Sequence, residues 1–199
     1  VHDKRPLWLN RIYEMTLERN RTHLKTEGFD VLVIGGGIFG ACAAWDATLR
    51  GMKVALIEKD DFCSGVSANS FKIVHGGMRY LQHADIKRLR SSCHERSAML
   101  RIAPHLVQPL PIMVPTYGYG KSGKAFLATG LYLYDLLTLD RNKKISDPDN
   151  HIPWTRLLSR EEVLNEYPEL DPDGLTGGVV FFDGRMYNPT RLVLSFIQS

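Results

Sequence analysis

The sequence predicts an α/β fold, in which a parallel βαβ unit near the start of the chain is followed by an inserted α+β region. Three features carry this prediction: a glycine-rich turn between a strand and a helix, a second strand that ends in an acid, and a break in the strand-helix alternation after that acid. With 199 residues, 44% of them hydrophobic and 24% charged, the chain has a globular composition. It has room for one large domain, or for one domain and part of another.

The glycine-rich turn follows an apolar run, and Asp30 to Gly40 reads DVLVIGGGIFG. A helical pattern continues to about Arg50. In a Gly-x-Gly-x-x-Gly turn, the first glycine permits the bend, the second lets the backbone approach a pyrophosphate, and the third lets the helix pack close to the strand. The start of that helix presents free N–H groups and a partial positive charge to the phosphates. The candidate phosphate-binding residues are Gly35, Gly36, Gly37 and Gly40.

A second strand, Lys53 to Glu58, ends in an acid 18 residues after Gly40. Glu58 is therefore placed to accept hydrogen bonds from the ribose of an adenosine, and the whole unit is predicted to be a Rossmann-like dinucleotide-binding domain. The alternative interpretation is an ordinary βαβ unit whose acid is merely solvated. An NAD-dependent dehydrogenase is disfavoured, because no uninterrupted second βαβ run follows.

A Ser- and Gly-rich loop from Asp61 to Gly77 lies just after the ribose-binding strand end. Its small residues allow backbone N–H groups to approach a flat heteroaromatic ring, and Lys72 offers a charge that can stabilise electron-rich ring atoms. Taken alone, the loop could equally be an ordinary surface loop, and His75 a structural histidine.

The rest of the chain predicts the inserted region. A capping box beginning at Ser159 marks the start of one helix, and Asn188-Pro189 opens the last one. The other predicted elements are helices at about 86–102 and 124–139, strands at 110–115 and 176–183, and a polar loop at 140–153. We therefore expect a surface helix over residues 1–28, the first part of a nucleotide domain over 29–105, a substrate or cap region over 106–184 and a return helix over 185–199. The chain stops inside that helix, so we interpret the sequence as truncated.

Composition excludes several classes of function. A formal charge of +3 and a pI near 8.8 are too mild to indicate nucleic-acid binding. Cys42, Cys63 and Cys93 form no C-x-x-C pair, which argues against a disulfide framework and against a metal site, and favours a reducing, cytoplasmic compartment. The longest nearly uncharged stretch, 125–139, is too short to cross a bilayer.

One segment nearly matches a phosphate-binding P-loop. Gly118 to Lys124 has the required glycine and lysine spacing, but Ala125 replaces the Ser or Thr that would bind magnesium. A nucleotide triphosphatase is therefore disfavoured. Lys121 and Lys124 are instead interpreted as loop charges, and contact with anionic lipid at the inner face of the cytoplasmic membrane is a further hypothesis for them.

Together these motifs resemble the FAD-dependent glycerol-3-phosphate dehydrogenases, over about residues 29–199. The run His75-Gly-Gly-Met-Arg-Tyr-Leu81 is far more specific than the glycine turn. The other matching segments are Ile34 to Gly40, Trp45-Asp46, Arg50-Gly51, Ser64 to Ser67, Lys72 to Val74, Glu95-Arg96, Ala103 to Leu106, Gly130 to Asp135, Asp183 and Thr190 to Leu194.

The resemblance implies FAD rather than NAD as the cofactor, and oxidation of sn-glycerol 3-phosphate to dihydroxyacetone phosphate by hydride transfer to the flavin. Electrons would pass to quinone, or to oxygen in the related oxidases. Arg79 and Tyr80 would contact the substrate, since a guanidinium fork suits a phosphate dianion. The implied cofactor-binding residues are Gly35, Gly36, Gly37, Gly40, Glu58, Ser67, Ser70, Lys72, His75, Gly76 and Gly77.

No catalytic base can be assigned within the chain, and by resemblance it lies beyond Ser199. Two other functions stay open from the sequence. One is a flavoenzyme of the same architecture that acts on a different hydroxy or amino substrate. The other is a non-catalytic nucleotide-binding fragment.

Overall fold

The computed structural model describes residues 21–120 and 123–199. The described residues form two compact units: one contains those up to Ser70 together with Asn188–Ser199, and the other is Phe71–Tyr187. The surface helix predicted over residues 1–28 lies mostly outside the described residues, which contain only its single turn α1, His23–Thr26. No helix within the described ranges is both long and apolar enough to cross a membrane.

The first unit is built around a parallel pair of strands. β1 (Val31–Ile34) pairs with β2 (Val54–Ile57), and Val31 lies opposite Val54. The connecting helix α2 (Ile38–Leu49) makes this a βαβ unit. The predicted strand-turn-helix-strand order is therefore confirmed at this point of the chain.

The last helix returns to the first unit. α6 (Pro189–Gln198) begins at Asn188, whose side chain accepts a hydrogen bond from the backbone N–H of Arg191 at 3.0 Å. It packs on α2 through an edge-to-face contact between Trp45 and Phe196, whose ring centroids are 5.2 Å apart. The inserted region is thus enclosed in sequence by two parts of one unit.

The second unit is organised by a long strand, β6 (Leu175–Met186), which pairs antiparallel with three others. β4 (Val107–Tyr117) lies along one side of it. On the other side β3 (Ile73–Val74) and β5 (Arg156–Leu158) pair with different parts of β6. Among the described strands β4 is at an edge, which explains why it tolerates several prolines.

Helices cover this sheet. They are α3 (Ile86–Ile102), α4 (Lys124–Leu137) and α5 (Arg160–Glu166), with 3₁₀ turns at Met78–His83 and Pro148–Asn150. Val179 and Phe181 cluster with Leu131 of α4, whereas Val180 clusters with Val163 of α5. Because alternate residues of a strand point to opposite faces, β6 is buried on both sides.

The predicted fold class, α/β with a parallel sheet and an inserted α+β region, is confirmed. The predicted boundaries at 105/106 and 184/185 do not coincide with the edges of the compact units, which fall at Ser70/Phe71 and Tyr187/Asn188. The reason for the earlier edge is β3, which pairs with Gly184 and Arg185 of β6 and so joins the preceding loop to the second unit.

Candidate functional site

The glycine turn of the first unit has the geometry that its motif predicts. Gly35 has a φ of +110°, a conformation that L side chains rarely adopt, and its N–H donates to the carbonyl of Ile57 at 2.8 Å. A Cβ added to Gly40 would collide with the carbonyl oxygen of Gly35. Glycine is therefore required at the bend and at the point where α2 passes over it.

Glu58 closes one side of this turn. Its Oε2 accepts a hydrogen bond from the N–H of Gly36 at 2.7 Å, and its Oε1 accepts one from the N–H of Asp60 at 3.1 Å. These bonds, that from Gly36 above all, lower the pKa of Glu58, so the carboxylate is ionised at neutral pH. The N–H of Gly36 is thus already used inside the turn.

Ser67 lies at the start of α2. Its hydroxyl oxygen accepts a hydrogen bond from the N–H of Ile38 at 3.0 Å, and a Cβ added to Gly37 would lie 2.9 Å from it. The loop after β2 therefore brings a hydroxyl to the N-terminus of α2, where Gly37 has no side chain to cover the backbone. This combination favours an anionic group such as a pyrophosphate.

The second unit contains a cavity of about 600 Å³. Arg79 and Tyr80, the predicted substrate-binding pair, both line it. Arg79 is exposed and has no ion-pair partner among the residues that the structure describes. The full lining is His75, Gly77, Met78, Arg79, Tyr80, His83, Asp85, Arg88, Phe181 and Asp183.

Aromatic and cationic side chains line one wall of this cavity and contact one another. The guanidinium carbon of Arg88 lies 5.4 Å from the centroid of the Tyr80 ring, and the His75 ring lies edge-on at 6.3 Å. Arg88 also pairs with Asp85 at 3.4 Å. Sequence reasoning missed His83, which ends a short 3₁₀ turn that has no periodic signature, and Arg88, which lies in the first turn of α3.

A buried polar cluster lies beside the cavity and surrounds Gly76. Asp183 Oδ1 accepts hydrogen bonds from the N–H of Gly76 at 2.6 Å and from Nη1 of Arg96 at 2.7 Å. The hydroxyl of Tyr134 donates to the carbonyl of Gly76 at 3.0 Å. Burial raises the pKa of Tyr134, so its hydroxyl stays protonated and can serve as this donor.

The predicted residues are thus gathered at two places. The glycines, Glu58 and Ser67 come together in the first unit, and the segment from His75 to Tyr80 forms the cavity wall in the second. Ser70 is the last residue of the first unit before the chain enters the second, where Lys72 follows with a φ of +58°. Their contact with a cofactor stays a prediction.

The P-loop interpretation of residues 118–125 is not supported. β4, which precedes the segment, belongs to an antiparallel sheet, whereas a P-loop follows a strand of a parallel sheet. Nζ of Lys124 donates to the carbonyl of Leu158 at 2.6 Å and is partly buried. Lys124 is therefore the first residue of α4 and not a loop residue, while its contact with lipid stays a prediction and Lys121 lies outside the described residues.

Comparison with known proteins gives consistent results. Residues 30–199 match a family model described as FAD dependent oxidoreductase. The chain is 39% identical over 181 residues to a glycerol-3-phosphate dehydrogenase of Synechocystis. The aligned region covers 91% of this chain and 31% of that protein. It is 42% identical over 177 residues to the human mitochondrial glycerol-3-phosphate dehydrogenase, covering 85% of this chain and 23% of that protein.

A solved structure also resembles the chain. The glycerol-3-phosphate dehydrogenase from Bacillus halodurans, complexed with FAD, superposes with a TM-score of 0.55 and is 26% identical, covering 86% of this chain and 24% of that one. The chain therefore spans between about a quarter and a third of the length of these relatives.

Proposed function

Because this chain belongs to the FAD-dependent oxidoreductase family, we propose that the native protein containing it oxidises sn-glycerol 3-phosphate to dihydroxyacetone phosphate. The resemblance inferred from the sequence motifs agrees with the relatives, which are named glycerol-3-phosphate dehydrogenases. The observation that carries the proposal for this chain is the cavity lined by Arg79 and Tyr80, where an arginine with no ion-pair partner among the described residues lines a space large enough for a small phosphate ester.

The residues of the first unit fit the adenosine end of FAD. Gly37 and Gly40 leave no space for side chains, so backbone can approach the pyrophosphate, and Ser67 adds a hydroxyl at the helix start. Glu58 is ionised and keeps acceptor capacity for the ribose beyond its two backbone bonds. We propose that Gly35 and Gly36 shape this turn.

The flavin end is assigned to the next part of the chain. We propose that Ser70, Lys72 and the segment from His75 to Gly77 line the ring, as the family resemblance implies. When bound, FAD supplies the acceptor for the hydride that leaves the substrate.

The second unit supplies the recognition of the substrate. Arg79 would hold the phosphate dianion through charge-assisted hydrogen bonds, which a planar guanidinium can make in pairs. Tyr80 would contribute its hydroxyl and ring, and Arg88 and His75 hold that ring against movement. The role of this wall is to fix the carbon that is oxidised, and no proton acceptor is assigned within residues 1–199.

The proposal also covers the acceptor of the electrons and the cellular compartment of the protein. Quinone or oxygen would accept the electrons. No disulfide joins Cys42, Cys63 and Cys93 in the part of the chain that the structure describes, and we infer a reducing compartment such as the cytoplasm from their scattered spacing. Peripheral contact with the inner face of the cytoplasmic membrane stays a hypothesis that rests on Lys121 and Lys124.

The test is to purify the native protein, identify its cofactor by mass after release, and measure dye-coupled oxidation of a substrate panel. We expect FAD, and turnover of glycerol 3-phosphate far above that of glycerol, glycine or proline. Bound NAD in a protein that cannot be reconstituted with FAD would overturn the cofactor assignment. Preferential turnover of an amino acid would overturn the substrate assignment.

A further inference from the structure

The backbone N–H and carbonyl of Gly76 are both hydrogen-bonded by side chains that come from different elements. Its N–H donates to Asp183 of β6 at 2.6 Å, and its carbonyl accepts from Tyr134 of α4 at 3.0 Å. Arg96 of α3 completes the cluster, since its Nη1 donates to the same oxygen of Asp183 at 2.7 Å and to the carbonyl of Phe182 at 3.0 Å. Three elements therefore fix one backbone position.

The cluster is buried to a degree that is unusual for polar groups. Arg96 is 0% exposed, Tyr134 3% and Asp183 8%. A buried ion pair generally adds little stability compared with well-packed apolar residues, because both charges lose their hydration. A buried Arg and Asp are therefore better explained by what they position than by the stability they add.

The backbone of Gly76 is closely packed within this cluster. A Cβ placed on it would collide with the Tyr134 hydroxyl and with the Arg96 guanidinium, so the backbone packs directly against both groups. Because close-packed interiors transmit strain, we expect a shift of either side chain to displace the Gly76 backbone.

Arg79 lies three residues after Gly76, and the connection between them is short and ordered. Gly77 takes a left-handed φ of +80°, and its carbonyl accepts the N–H of Tyr80 at 2.9 Å as the 3₁₀ turn begins. Asp183 and Arg79 also line the same cavity. A displacement at Gly76 is therefore carried to the start of the turn that bears Arg79.

We propose that Arg96, Asp183 and Tyr134 are positioning residues, which hold the Gly76 peptide and thereby direct Arg79 toward the phosphate of the substrate. The assignment rests on the proposed function and adds to it a set of residues that do not touch the substrate phosphate themselves. It differs from a purely structural role in one respect: the effect of the cluster on substrate use must pass through Arg79.

Tyr134→Phe is the sharpest perturbation, because it removes one hydroxyl and keeps the ring. Tyr132→Phe on the same helix is the matched control, since Tyr132 is 42% exposed. In the native FAD-loaded protein, we expect Tyr134→Phe to raise KM for glycerol 3-phosphate about fivefold or more, because a buried carbonyl loses its partner and its loop shifts. We expect kcat to change by less than about twofold, and Tyr132→Phe to change neither constant.

A double-mutant cycle with Arg79→Ala separates positioning from general damage. If Tyr134 acts through Arg79, its effect on KM should fall below about twofold once Arg79 is absent, because residues that act as a unit are not additive. Asp183→Asn, which keeps the shape of the side chain, should behave in the same way and gives a second variant if Tyr134→Phe folds poorly.

Hydrogen exchange gives a readout that does not depend on turnover. Exchange in the peptide covering residues 71–80 should become faster in Tyr134→Phe and stay unchanged in Tyr132→Phe. A fivefold KM effect that persists in the Arg79→Ala background, or no KM effect from either Tyr134→Phe or Asp183→Asn, would overturn the positioning role alone. An Arg79→Ala variant with unchanged use of glycerol 3-phosphate would overturn the role of Arg79 and the positioning role with it, whereas only a native protein that does not oxidise glycerol 3-phosphate would overturn the proposed function.

Discussion

Replacement of Arg79 by alanine should weaken the use of glycerol 3-phosphate while leaving the fold and the bound FAD intact. The side chain is exposed, lines the cavity and has no ion-pair partner among the described residues, so its removal breaks no ion pair there. Exposed substitutions of this kind usually change the free energy of unfolding by less than about 0.5 kcal/mol.

The expected loss follows from the contact that Arg79 is proposed to make. A hydrogen bond to a charged group contributes about 1.5–3 kcal/mol, which corresponds to a fall in kcat/KM of about tenfold to 150-fold. If Arg79 holds the phosphate equally in the ground state and the transition state, the loss should appear in KM. An effect on kcat as well would mean that it also aligns the reacting carbon.

The assay is dye-coupled oxidation with glycerol 3-phosphate and with glycerol, together with flavin content and thermal unfolding of each variant. Glycerol lacks the phosphate, so Arg79→Ala should leave the rate of its slow oxidation nearly unchanged. Arg79→Lys is the control, since it keeps the charge and loses the fork, and it should recover part of the loss. Equal losses for both substrates, or a large fall in unfolding temperature, would show that Arg79 is structural.

Two further predictions concern other parts of the chain. Gly37→Val should strongly reduce FAD binding, measured by flavin titration of the apoprotein, because the new side chain enters the space beside Ser67. Gly28→Val, where an added Cβ meets no atom within 4 Å, should bind FAD normally, and equal binding by both variants would refute the role of the turn. Asp140 has a pKa lowered to about 2, chiefly by its hydrogen bond from Arg90. Its folded pKa lies below the ordinary value near 4, so the stability that the ionised carboxylate adds is present above that value and lost as pH falls toward about 2. Asp140→Asn should remove this part of the acid dependence in urea unfolding, and an unchanged pH profile would contradict it.

The sequence predicted the helix starts and the turn that depend on residues close together in the chain. The capping box at Ser159 is present with both of its hydrogen bonds to and from Glu162, and the cap at Asn188 starts the last helix. The glycine turn was predictable because the backbone conformation or close packing of the turn excludes a side chain at each glycine.

Long-range pairing explains what the sequence did not predict. β3 and β5 have two and three residues, too few to show an alternating pattern, and they become strands only because β6 supplies partners. The bond between Arg96 and Asp183 joins residues that are 87 positions apart, so no local spacing could indicate it. The same holds for the Tyr134 hydroxyl and the Gly76 carbonyl, 58 positions apart.

Anaerobic reduction of the bound flavin tests the central claim most directly. The native protein, purified with its cofactor, is mixed with sn-glycerol 3-phosphate in the absence of oxygen and of any dye, and the visible absorption of the flavin is followed. We predict that the flavin is bleached by glycerol 3-phosphate, and that dihydroxyacetone phosphate appears in an amount equal to the flavin. A flavin that stays oxidised with glycerol 3-phosphate and is bleached by an amino acid would contradict the account.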